Sequence, residues 1–260
     1  MAPLAREDRG KIRTLTLDNL PKRNALDFAS LAALEEACAE AARDGVRCLV
    51  FRGAGERAFS SGFDIAAIPT GPQEGDRPDL AVERAMAALE AVPCPTIAFL
   101  NGSAFGAGAE LAATCDLRVA RPGVQIGMPP ARLGVVYGPA GLRRFVHLVG
   151  PSRAREMFFT ARPVDADEAL AIGLVDRVVP ADEAEAAALA LAGEIAANAP
   201  LAVQGMKRII RLLEAAAERG FSDAEREEIG HLRRRAFESD DVREGRQAFL
   251  EKRAPRFQGR

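Results

Sequence analysis

At 260 residues, with 48% hydrophobic and 28% charged positions, the chain can bury a large core and has the composition of an ordinary globular protein. A formal charge of −2 leaves no basic excess for nucleic acid, and two histidines with four cysteines in no paired spacing indicate neither a zinc site nor a disulfide framework. No run approaches about 18 apolar residues and the first eleven residues lack the apolar centre of a signal sequence, so the expectation is a cytoplasmic protein without a membrane span.

In chain order, residues 11–17 alternate as a strand and a turn follows. Leu26, Leu31, Leu34 and Cys38 recur at helical spacing, which predicts a helix over 27–43 ended by Gly45. Residues 46–52 read as a second strand. The segment AFSSGFDI at 58–65 is a tight loop that opens a short element and aims backbone donors. The polar, breaker-rich 70–78 is expected to be a mobile surface loop, with a helix over 79–92 behind it.

The stretch PTIAFLNGSAFGAGAELAATCD, 95–116, organises the rest. Residues 95–100 form a short apolar run bounded by proline and glycine, the pattern of a buried strand. Gly106, Ala107 and Gly108 let the chain turn tightly into a helix whose first N–H groups lack internal acceptors, a place that attracts negative charge. Glu110 follows within the first turn, among small residues, which leave room for it at the edge of a cavity. Short strands over 117–121 and 124–128, a proline-rich connection and a helix over 142–149 complete an α/β alternation. Beyond 151 only 175–179 reads as strand, while 182–198, 200–217, 222–238 and 240–253 read as helices.

FSSGFDI, then NGSAFGAGAELAATCD, then AIGLVDRVV and a terminal RQAFLEKRAPRF together resemble the crotonase, or enoyl-CoA hydratase/isomerase, superfamily along essentially the whole chain. The resemblance implies an α/β spiral of repeated β-β-α units over 1–195, carrying the coenzyme A and active sites, and a helical trimerisation and lid region over 196–260. It also implies a homotrimer or a dimer of trimers, an acyl-CoA substrate, and no cofactor beyond the coenzyme A of that substrate.

By the same resemblance, the backbone N–H groups of Phe63 and Ala107 form an oxyanion hole. A thioester carbonyl gains negative charge as its α-carbon is attacked, deprotonated or decarboxylated, and each fixed backbone donor lowers that barrier by about 3 kcal/mol. The hydratases of the superfamily pair a glutamate matching Glu110 with a second acid, and in this chain the second position is Pro130. Water addition needs a base and an acid, so the missing member argues against ordinary hydration and weakens isomerisation.

RLGVVYGPAG and APLAVQGMKRIIRLL are most similar to the branch that decarboxylates methylmalonyl-CoA, which also lacks the second acid and whose tyrosine matches Tyr137. Carbon–carbon cleavage there requires no base, only a carboxylate held out of the thioester plane in a dry pocket. Tyr137 is then a donor to that carboxylate or a loop tyrosine capping the core edge. Glu110 is paired, protonated or structural. Phe63 departs from the histidine of that branch.

Coenzyme A contacts are expected from Lys22 and Arg23, which otherwise are solvated turn charges, from Phe63, Asp64, Ile65 and Ala67, from Pro130, and from Phe249 and Lys252. His147 and His231 read as structural, and Arg132 and Arg143 as facing the acyl pocket or making ordinary surface or interface pairs. The runner-up activity is a hydratase or isomerase using Glu110 alone. A noncatalytic acyl-CoA binder would need only the coenzyme A contacts, and an RNA binder would need a basic surface that this charge balance does not supply.

Overall fold

A computed structural model describes residues 4–67, 77–133, 135–216, 222–251 and 253–260, leaving aside the side chains at 229, 232–234, 236–237, 242, 246 and 249–250. The expected surface loop therefore lies almost wholly outside the described residues, as does Lys252.

Six strands form the larger sheet in the order β1 (Leu4–Arg9), β2 (Ile12–Leu17), β3 (Cys48–Gly53), β5 (Thr96–Leu100), β7 (Leu117–Ala120) and β10 (Arg177–Val178). Only the β1–β2 pair is antiparallel; β3 and β5 run parallel with Leu49 opposite Thr96 and Phe51 opposite Ala98. These two central strands read as continuous apolar runs because both faces are covered. Alternate residues separate onto two cores. Leu49, Phe51, Ala98 and Leu100 face one side with Leu31, Leu34, Met86 and Leu89, whereas Cys48, Val50, Ile97 and Phe99 face Ala184, Ala188 and Leu191. The first set comes from α1 (Phe28–Arg43) and α2 (Pro78–Ala91), and the second from α6 (Ala184–Ala196).

The helix expected over 27–43 starts at Phe28 because Asp27 caps it: its carboxylate accepts from Ser30 N, and Ser30 Oγ accepts from Asp27 N. Strand β1 was not expected. Its sequence LAREDR is polar and mostly exposed, and what makes it a strand is pairing with β2 at the sheet edge.

The smaller sheet has the order β4 (Ala58–Ser60), β6 (Ser103–Phe105), β8 (Gln125–Gly127) and β9 (Val164–Asp165). Between β6 and β7 sits α3 (Ala107–Thr114), all eight of whose residues are buried. The expected helix over 142–149 is longer: α4 runs Pro139–Thr160 with a break at Gly150. Helix α5 (Ala166–Ala171), unexpected from sequence, begins at Asp165, which caps Glu168 N. Three helices close the chain: α7 (Pro200–Ala216), α8 (Asp223–Phe237) and α9 (Asp240–Glu251). No single helix among the described residues is long and apolar enough to cross a membrane.

Candidate active site

Two loops meet at the start of α3. The first follows β4, where Leu26 N donates to Gly62 O at 2.8 Å and Asp64 N donates to Leu26 O at 2.7 Å. A parallel bridge of this kind uses the groups on either side of Phe63 and turns Phe63's own N–H to the opposite face. The second loop leads into α3, whose first N–H, on Ala107, has no acceptor one turn back. Among the described residues neither Phe63 N–H nor Ala107 N–H finds an acceptor. The loops pack tightly: a Cβ on Gly62 would lie 2.6 Å from Phe105 O and 3.3 Å from Ala107 N, and Gly62 also sits at φ +92. Only glycine fits that combination of contact and conformation.

Asn24 secures this junction from the turn before α1. It is 1% exposed, and its Nδ2 donates to Ala58 O at 2.8 Å and to Ala54 O at 3.0 Å. Ser61 N donates to Arg23 O, and Ser60 Oγ to Asn24 O. The turn and the loop are therefore tied together, and the residues on them expected to contact coenzyme A are brought to one place. Lys22 is not a free cation, however: its Nζ lies 2.5 Å from Asp64 Oδ2 and holds that carboxyl below its ordinary value. Arg23 is exposed with no ion pair among the described residues. Ile65, 62% exposed, and Ala67 form the short 3-10 turn Ile65–Ala67 beyond. Phe63 packs its ring edge-on against Phe28, with centroids 5.4 Å apart.

Glu110 stands three residues beyond Ala107, nearly one helical turn, and is 3% exposed. Both of its oxygens are engaged. Tyr137 donates its hydroxyl to Oε2 at 2.5 Å, and Arg144 donates Nη1 to Oε1 at 2.7 Å. Burial pushes the Glu110 carboxyl above its ordinary value, while Tyr137 and Arg144 pull it down and Glu90 adds to the rise. The Tyr137 phenol is held well above its usual range, first by burial and then by the Glu110 charge. It keeps its proton.

Of the three states left open for Glu110, the geometry selects pairing. The reading of Tyr137 changes with it, because the hydroxyl hydrogen expected for a substrate carboxylate is given to Glu110. A dehydrated carboxylate draws in the donors within reach, and Tyr137 is one of two. Gly141 makes the pair possible, since a Cβ there would lie 2.5 Å from Tyr137 Cε1 and 2.9 Å from Glu110 Oε1. The ring of Tyr137 rests on Phe158 at 5.6 Å, and Phe158 on Phe145 at 5.3 Å.

Pro130, the position at which the resemblance expects a second acid, is buried at the start of the 3-10 turn Pro130–Leu133. Arg132 and Arg143 are both exposed, so neither enters the Glu110 site. The arginine that does is Arg144, whose signal lies in helical spacing: Gly141, Arg144, Phe145 and Leu148 share one face of α4, and a charge on an apolar face is a buried pair in waiting. Phe249 lies on α9 with its side chain outside the described residues, as Lys252 is entirely.

The family model for enoyl-CoA hydratase/isomerase matches residues 7–260. Methylmalonyl-CoA decarboxylase of Escherichia coli is 32% identical over 96% of this chain and 95% of its own, and short-chain-enoyl-CoA hydratase of Clostridium acetobutylicum is 34% identical over 95% and 94%. A crystal structure of an enoyl-CoA hydratase from Bacillus anthracis superposes with a TM-score of 0.91 at 30% identity, covering 99% of this chain and 100% of that one. Agreement of this extent in sequence and in fold places the chain in the enoyl-CoA hydratase/isomerase family, within the crotonase superfamily.

Proposed function

We propose that this enzyme decarboxylates a 2-carboxyacyl-CoA such as methylmalonyl-CoA, with coenzyme A entering as part of the substrate. One observation carries the reading: Glu110 has both oxygens occupied by Tyr137 and Arg144, and the buried Pro130 stands where the resemblance puts a second acid. A carboxylate so engaged is a poor base for drawing a proton from water. Loss of carbon dioxide needs no base, because the electron pair of the broken C–C bond flows into the thioester carbonyl. The enolate oxygen is then received by the N–H groups of Phe63 and Ala107, two fixed dipoles that do not reorganise as charge develops.

The apolar rings of Phe63 and Phe28 beside the first of these donors favour the uncharged product over the substrate carboxylate. The enolate afterwards takes a proton at its α-carbon, and the Tyr137–Glu110 pair is the proton-bearing group of the site. The exposed Met206, Ile210 and Leu213 on α7 support assembly as a trimer or a dimer of trimers.

A hydratase or isomerase working with Glu110 alone is the second reading. It is favoured by the Clostridium acetobutylicum relative and by the burial that raises the Glu110 carboxyl above its ordinary value. Parallel incubation with methylmalonyl-CoA and crotonyl-CoA separates the two, reading bicarbonate release and loss of conjugation. Decarboxylation with slow hydration is expected. Rapid hydration of crotonyl-CoA with inert methylmalonyl-CoA would reverse the order of the readings.

A further inference from the structure

The Arg144 guanidinium is forked between two acids of very different exposure. Its Nη1 donates to Glu110 Oε1 at 2.7 Å, and its Nε donates to Glu90 Oε1 at 2.8 Å. Arg144 is 7% exposed. The Glu90 side chain retains 33% of its exposure and lines, with Arg144, Arg143 and His147, a groove of about 1080 Å³ bordered by α2, α3, α4 and α7. The arginine that touches the site carboxylate from within is thus reached from a separate concavity.

Charge around Glu110 comes from few sources. Of the elements packed on α3, strands β4, β5 and β6 carry no ionisable side chain, α4 brings Arg144, α2 brings Glu90 through Arg144, and the loop ahead of α4 brings Tyr137. Arg143 and His147 of α4 are exposed in the groove. A carboxylate held on separate oxygens by one arginine and one phenol has its plane fixed by the two together, and of the two donors only the arginine carries a charge.

We propose that Arg144 is a positioning residue that orients Glu110 so that its second oxygen meets Tyr137, and that Glu90, at the groove, sets how much of the arginine's charge reaches Glu110. This rests on the reading of the Tyr137–Glu110 pair as the proton-bearing group of the site. Removing Arg144 strips Glu110 of its counter-charge, whereas removing the charge of Glu90 frees Arg144 for Glu110 alone and deletes a repelling neighbour. The two changes therefore act on Glu110 in opposite directions, which a general loosening of the fold does not reproduce.

The test reads Glu110 directly. Infrared difference spectra of the full-length protein, titrated with acid, follow the carboxyl band that disappears in Glu110→Gln. Arg144→Met should move the titration midpoint of that band to higher pH, Glu90→Gln should move it to lower pH, and Arg144→Lys should fall between wild type and Arg144→Met. Circular dichroism identifies a variant that fails to fold, and Glu90→Gln and Arg144→Lys keep the test decisive if Arg144→Met does so. Midpoints that stay in place, or that move the same way in Arg144→Met and Glu90→Gln, overturn the proposal. Opposite shifts in a protein inert toward methylmalonyl-CoA would uphold the positioning role and dismiss the proposed reaction, while unmoved midpoints in an active decarboxylase would do the reverse.

Discussion

Arg144 and Arg253 each hold two carboxylates, the first inside the core and the second at the far end of the chain. Arg253 donates to Glu244 at 2.6 Å and to Glu251 at 2.6 Å, with its side chain 39% exposed. There the carboxyl of Glu244 is pulled down to about 2, chiefly by Arg253. Glu110, with an arginine just as near, is pushed up. The contrast shows that the neighbouring cation does not decide the protonation of a carboxylate by itself. Water does: the partly exposed acid keeps hydration and gains a partner, while the buried acid loses hydration that its partners only partly replace.

The comparison is broken most forcefully by removing the arginines. Arg144→Met should destabilise the fold by about 3–5 kcal/mol near neutral pH, because an acid is left buried without its counter-charge. Urea unfolding of this variant beside Arg253→Met, whose loss should be far smaller, reads the difference. Equal losses would mean that burial is not what distinguishes the two sites.

A smaller effect is expected from crowding the buried pair. Gly141→Ala places a methyl 2.5 Å from Tyr137 Cε1, so either the phenol leaves Glu110 or α4 shifts. Overpacking of this kind costs about 1–3 kcal/mol, again visible as a lower urea midpoint. An unchanged midpoint would show that Tyr137 is not held as described.

The finest distinction lies in pH. Glu244, with a lowered folded value, stabilises the fold above the ordinary carboxylate range, and that contribution is lost as pH falls toward about 2. Glu110, with a raised folded value, contributes fully below its ordinary value and loses that contribution as pH rises through the raised one. Between about pH 7 and about pH 3, the stability of wild type relative to Glu244→Gln should therefore shrink, and relative to Glu110→Gln should grow. Parallel thermal melts across that range check both signs, and two differences of the same sign would remove the contrast.

Much of the architecture was legible from local pattern. The apolar runs of β3 and β5, the capped start of α1 at Asp27, and the glycine-rich entry to α3 each follow from interactions within a few residues. Strand β1 was not legible, because LAREDR carries no strand pattern of its own and acquires its conformation from β2. In α4 the exposed Arg143 and the buried Arg144 are adjacent in sequence, and it is the packing of α4 on α3 that brings Arg144 to Glu110.

What the sequence determined by itself is the α/β alternation of most elements, the glycine-rich entry to α3 and the acid Glu110 within its first turn. The tertiary structure alone decided what surrounds that acid. Tyr137 and Arg144 reach Glu110 across 27 and 34 residues, and Glu90 reaches Arg144 across 54. Contacts at such separations leave no periodicity in the chain. They exist because α2, α3 and α4 pack together and exclude water, and it is that exclusion which gives each charge its value.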